Sequence, residues 1–226
     1  MTAAPAPRHS MPFVRIELVL LSPVDGRLAV LLGRREGPPY EGRWAVPGGV
    51  LRIDHDRDLD DAARRVCRER LNAEVPALRQ LRAVGGPKRD PRAPWALSVV
   101  YRGLVAGLDA TPGKRLQALR WSPVDDVANE RLAFDHGALV ADSVARLREE
   151  VERLELPFEC LPPTFTLTEL QSQCEVLLGR RLDKSSFRRR LDDRELVEPV
   201  VGEMRTGAYR PAQVYRARSL TMRKRP

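Results

Sequence analysis

Cysteine, histidine and lysine are all scarce in this chain of 226 residues, and each shortage narrows the range of functions. The three cysteines (Cys67, Cys160, Cys174) lie far apart and form no C-x-x-C pair; the three histidines are equally scattered. An odd, dispersed set of this kind argues against a disulfide framework and a structural zinc site, and it fits a reducing, cytoplasmic setting. No apolar run reaches the roughly 18 residues that a membrane-spanning helix needs. The opening MTAAPAPRHS lacks the apolar stretch of a signal peptide; residues 1–12 read as a disordered tail. Only four of the 39 basic residues are lysine (Lys88, Lys114, Lys184, Lys224), so the positive charge is almost all guanidinium.

The formal net charge is +8, which points to a polyanionic partner. Its distribution is uneven. Residues 160–226 hold 14 Lys/Arg against 8 Asp/Glu, whereas the preceding 159 are close to balance.

The segment Phe13–Gly33 reads as two apolar strands joined by a turn at Val24-Asp25-Gly26. A further strand is expected at Trp95–Gly107 and a shorter one at Leu116–Pro123. Leu139, Val140, Val144, Leu147 and Val151 recur at helical spacing between His136 and Arg153. Prolines then break the pattern, which marks a linker near 154–164. Beyond it, Thr166-Leu-Thr-Glu169 is a capping box that starts a helix, and Gly179 is placed to end it. Asp183 can cap a second helix, in which Phe187 and Leu191 form the buried stripe while Ser185 and Arg189 face outward. Two β-prone runs around a basic turn follow. Two short helices and a basic hairpin have the plan of a winged helix-turn-helix.

The stretch Gly48–Ala73, GGVLRIDHDRDLDDAARRVCRERLNA, resembles the Nudix box. In that motif a helix reading R-E-U-x-E-E-x-G-U (U, an aliphatic residue) places glutamates on one face, where they hold divalent cations that bridge a pyrophosphate and activate water. When Ala62-Ala63 is set on the family's alanine pair, the arginine becomes Arg65. The three carboxylate positions then fall on Val66, Glu69 and Arg70, the loop glutamate near Arg57 and the closing glycine on Asn72. The buried positions Ala63, Cys67 and Leu71 persist, but the chemistry does not. One carboxylate beside a valine and an arginine cannot hold a pair of cations. Acids from Asp54 to Asp61 read as helix-start charges that favour the macrodipole. No catalytic residue, metal or cofactor is therefore expected.

KRDPRAPWALSVVYRGLV (Lys88–Val105) and RLAFDH (Arg131–His136) resemble segments of the ADP-ribose branch of Nudix proteins. They are also similar to those of the Nudix-related transcriptional regulators of NAD metabolism, which FTLTELQSQCEVLLGRRLDKSSFRRRL and RPAQVYR resemble in the C-terminal third. The resemblance implies an α/β (α+β) protein: a Nudix-like α/β/α sandwich at 13–155 that senses a nucleotide, and a winged helix-turn-helix at 160–226 that binds DNA. It implies Arg34, Arg35, Trp44, Arg52, Arg89 and Arg92 as ligand contacts, since guanidinium forks match phosphate geometry. His136 is expected to cap or pack the next helix. For DNA the candidates are Lys184, Ser185, Ser186, Arg188 and Arg189 on the recognition helix, with Arg205, Thr206, Arg210 and Gln213 in the wing. The implied protein is a homodimeric repressor of NAD synthesis or salvage genes, with a palindromic operator and ADP-ribose or a related nucleotide as effector. The alternative is a divergent hydrolase of ADP-ribose that uses Glu69 and the loop aspartates.

Overall fold

In the computed structural model, which describes residues 12–205 and 211–218, the first apolar run forms strand β1 (Phe13–Val24). Asp25 and Gly26, both at positive φ, close a hairpin to β2 (Arg27–Arg35). Next come β3 (Trp44–Ala45), β4 (Gly48–Val50), helix α1 (Leu59–Leu71), β5 (Leu78–Pro87), β6 (Trp95–Leu104) and β7 (Leu116–Pro123). A short helix α2 (Val124–Val127) leads to α3 (His136–Glu152). The seven strands make one mixed sheet. β1 lies parallel to β6, with Arg15 beside Ser98 and Leu21 beside Leu104, and all other pairings are antiparallel.

Alternation along β1 assigns its residues to two layers. Ile16, Leu18 and Leu20 meet Ala62, Ala63, Val66, Cys67 and Leu71 of α1 on one face. Val19 and Leu21 meet Leu139, Val140, Val144, Leu147 and Val151 of α3 on the other. The result is the expected α/β/α sandwich. Asp58 caps α1 by accepting the Asp61 amide, and Asn72 ends it at φ 48°. Asparagine tolerates this left-handed conformation and so takes the place of the glycine that the Nudix pattern has there.

The C-terminal third folds as its local signals predict. Thr166, at the end of β8 (Phe165–Thr166), and Glu169 form a reciprocal capping box at the start of α4 (Leu167–Leu178), and Gly179 closes that helix at φ 70°. Asp183 caps α5 (Lys184–Arg194), whose Phe187 and Leu191 are buried. β9 (Val197–Arg205) and β10 (Ala212–Ala217) then pair with β8 in the order β8-β10-β9. Thr206 and Arg210 lie outside the described residues.

The proline-rich segment after α3 is more than a tether. It forms a 3-10 turn at Phe158–Cys160. Phe158 stacks on Phe165 with ring centroids 5.7 Å apart, and the Cys160 thiol is buried toward the Val105 carbonyl. Prolines stop a helix without preventing the residues between them from packing. One apolar core therefore runs from Val30 and Leu32 of β2 through α3 to Leu170, Cys174, Leu177, Phe187 and Leu191.

With that core unbroken, urea should unfold the chain in a single transition seen alike by far-UV circular dichroism and tryptophan fluorescence. Leu177→Ala should move the whole transition down by about 2–5 kcal/mol. Two separate transitions, only one of them shifted, would mean that the halves are independently stable.

Candidate functional site

Val66, at the first of the three carboxylate positions on α1, is fully buried. It packs so closely on the loop that a Cβ on Gly49 would come within 2.8 Å of it. Glu69 is the one carboxylate left, and cations surround it. Arg52 forks onto both its oxygens at 2.7 and 3.1 Å, Arg65 reaches it at 3.3 Å, and Lys114 stands 3.9 Å away. Burial would raise the Glu69 carboxyl, but these three cations outweigh it and hold the group below its usual range. The loop acids are similarly engaged. Asp56 pairs with Arg65 at 2.6 and 2.8 Å, Asp61 with Arg57, and Asp60 accepts from the Tyr101 hydroxyl. Asp58 is the N-cap. Among the described residues, no group of three or more His, Cys, Asp or Glu side chains is arranged to hold a metal. The donor set does not fit the divalent ions of a Nudix centre.

Beside the start of α3 lies a cleft floored by two charged residues of β1. Arg15 and Glu17 point to the same face, both almost wholly buried, with Arg15 Nε donating to Glu17 Oε1 at 2.7 Å. His136, the first residue of α3, accepts the Val46 amide at Nδ1 (3.1 Å), which leaves its proton on Nε2, 3.8 Å from Glu17 Oε2. Burial alone would raise the Glu17 carboxyl; Arg15 and His136 prevail and bring it down to about 2. The strand passing over this carboxylate needs a glycine. A Cβ on Gly48 would lie 1.9 Å from Glu17 Oε2 and 2.9 Å from the Ile16 carbonyl oxygen. Phe134 stacks on His136 and is flanked by Arg15 and Arg35, whose guanidinium carbons are 5.6 and 5.0 Å from its centroid.

Three of the six expected ligand contacts line this cleft. Arg89 lines the pocket that holds Glu17 and His136 and is held by Asp135, while Arg35 and Arg92 line an adjoining pocket, with Arg15 common to both. Arg92 is braced against buried Asp90, a pairing within the RDPR turn. The other three do not belong to it. Arg52 is committed to Glu69, Arg34 points to the Gly42 carbonyl, and Trp44 packs on the core beneath the Arg120 guanidinium. Sequence reasoning missed Arg15, Glu17, Arg70, Arg115 and Phe134 as cleft residues and took His136 only as a residue that caps or packs the next helix. For Arg15 and Glu17 there was a signal: two charges two apart inside an otherwise apolar buried strand.

The second candidate surface is α5. Lys184, Ser185, Ser186 and Arg189 are exposed, whereas Arg188 is half buried. Arg205 is tied to Glu169 and the Thr164 carbonyl, and Gln213 donates to carbonyls within the β9–β10 hairpin. Both lie in the pairs at the 205/212 end of the hairpin.

Two family models match the chain: the NUDIX domain over residues 13–143 and the NrtR DNA-binding winged helix domain over residues 157–217. The ADPR responsive transcriptional repressor NtrR of Acinetobacter baylyi is 34% identical over 210 residues, which cover 92% of this chain and 83% of that protein. Shewanella oneidensis NrtR, solved in complex with a 27mer DNA, is 32% identical with a TM-score of 0.74, over 91% of this chain and 93% of that one. The NUDIX domain of the same protein, solved with ADP ribose, is 30% identical over 62% of this chain and 90% of that one, with a TM-score of 0.58.

The buried pair makes a sharp prediction. Arg15→Met strands a carboxylate in the interior and should destabilise the fold by about 3–5 kcal/mol, with Arg15→Met/Glu17→Met recovering most of the loss. Because the folded carboxyl of Glu17 lies below its unfolded value, the stabilisation it provides is present above about pH 4.5 and fades as pH falls toward about 2. Urea midpoints at pH 7 and pH 3 test both points; a single variant as stable as the double would refute the pairing.

Proposed function

Because the chain belongs to the Nudix family and, within it, to the NrtR-type regulators, we propose that it is a DNA-binding transcriptional repressor that responds to ADP-ribose. Its Nudix domain reads the nucleotide without hydrolysing it, and its winged helix reads an operator at genes of NAD synthesis or salvage. The working form is a cytoplasmic homodimer on a palindromic site. The similarity to a repressor named for its ADP-ribose response and to structures holding DNA and ADP ribose supports both ligands. The loss of the Nudix carboxylates to Val66 and Arg70, with Glu69 neutralised, supports the absence of hydrolysis.

The observation that carries this reading is the course of α3. Its 17 residues span about 25 Å. At one end His136 lies in the floor of the cleft. Near the other end Arg148 donates to the Leu177 carbonyl of α4, Glu152 pairs with Arg180, and the Glu152 carbonyl accepts from Arg190 of α5. A ligand that shifts the start of α3 would thus shift the recognition helix. That is coupling between two sites through one rigid element. On α5, Arg189 and Lys184 offer guanidinium and ammonium donors for guanine acceptors, while the hydroxyls of Ser185 and Ser186 suit phosphate oxygens.

Arg189→Ala should weaken binding to the chain's own upstream DNA by about 1–3 kcal/mol in a gel-shift titration, with little change on unrelated duplex. Equal affinity for the operator would remove Arg189 from base recognition. Incubated with ADP-ribose and Mg²⁺ or Mn²⁺, the purified protein should release no AMP. Sustained turnover would overturn the sensor reading in favour of a hydrolase.

A further inference from the structure

The position that a metal-binding glutamate would fill on α1 holds Arg70, and its guanidinium lines the pocket beside Arg15, Arg35 and Arg92. Arg70 Nε donates to the Gly48 carbonyl at 2.8 Å and Nη1 to the Lys114 carbonyl at 2.6 Å. Two carbonyls from separate segments therefore fix its plane, while Nη2 has no partner among the described residues. Arg15, Arg35, Arg92 and Arg115 line the same cleft. Two of these are already neutralised, Arg15 by Glu17 and Arg92 by Asp90. Arg35, Arg70 and Arg115 are not: the partners of Arg35 and Arg70 are carbonyls, and Arg115 is exposed. The single unspent carboxylate in the lining is Glu36. Burial, reinforced by Arg15 and Arg92, pushes Arg35 down to about 10; burial and Arg115 also lower Arg70. The cluster repels itself, and Glu36 offsets only one of its three charges.

We propose that the Arg70 guanidinium takes the place of the divalent cation, so that the cleft binds a diphosphate diester without metal. The proposal rests on the nucleotide-sensing reading above and names how that site holds its ligand. Three uncompensated guanidiniums against Glu36 leave two positive charges, equal to one negative charge on each phosphorus of such a diester. The free Nη2 of Arg70, held in a fixed plane beside Arg35 and Arg115, suits phosphate oxygens. A divalent cation, by contrast, would meet three like charges and a single free carboxylate, Glu36. The exchange also separates two roles that a metal combines. A guanidinium neutralises the phosphates as the cation would, but it carries no bound water to deprotonate and does not itself lose a proton in this setting. Binding is kept while the attacking nucleophile is lost.

Calorimetric titration of the full-length protein decides this. ADP-ribose should bind with the same affinity, within about threefold, in EDTA and in excess Mg²⁺. Inorganic pyrophosphate in EDTA should bind at the same site and compete. Arg70→Gln should weaken both by about ten- to a hundredfold, read at a temperature at which its thermal melt shows it folded. Arg115→Gln removes an exposed side chain that holds no other element, and it should weaken both in the same direction. ADP-ribose binding that requires Mg²⁺ would overturn the proposal and leave the sensor reading intact. Pyrophosphate binding in EDTA with no binding of ADP-ribose would do the reverse. No binding of either in EDTA, or full affinity in both variants, would also overturn it.

Discussion

A carboxylate shielded from water lies near the centre of the first domain, and much of the molecule is arranged to tolerate it. Glu17 sits on a strand buried on both faces, where an isolated charge is prohibitive. It stays ionised because Arg15 is locked beside it and the Nε2 of His136 faces it. Those two partners impose further geometry. His136 must begin α3 at that spot, which fixes where the helix crosses the sheet. The chain above must be Gly48, since any side chain there would strike the carboxylate. With β4 drawn so close, its carbonyl is available to Arg70. Floor, wall and connecting helix of the cleft thus follow from one ion pair.

In the Nudix helix here the packing positions and the carboxylate positions part company. The buried stripe of α1 keeps the shape and volume the sandwich needs, and those positions say nothing about catalysis. Of the three carboxylate positions, one is the buried Val66, one is Arg70, and the third, Glu69, is surrounded by cations. Each loop or helix acid with a structural task has its own partner: Asp56 with Arg65, Asp61 with Arg57, Glu69 with Arg52. The arginine bias of the chain is thus spent partly on pinning acids that would otherwise be free to collect cations.

What was legible in the sequence was what is local. The Thr166–Glu169 box, the Asp183 cap, the Gly179 stop and the Phe187/Leu191 stripe each lie within one or two turns, and each is where the pattern put it. The substitution of Val66 and Arg70 was equally plain. The cleft was harder to read because it is assembled from β1, β2, α1, the turn at 89–92 and the residues before β7, segments brought together only by sheet order. Arg52 shows the difficulty. An arginine just past paired glycines looks like a phosphate ligand until Glu69, 17 residues on, is found folded back against it. The linker failed in the opposite sense: three prolines correctly ended α3, but nothing in the prolines foretold that Phe158 and Cys160 would be packed.

That packed crossing has a consequence for entropy. Two domains on a slack tether keep a wide range of relative orientations, and a partner that needs one of them must select it at the moment of contact. Here the core continues through the crossing, so that freedom is surrendered when the chain folds. Any surface that meets α5 meets it already aimed.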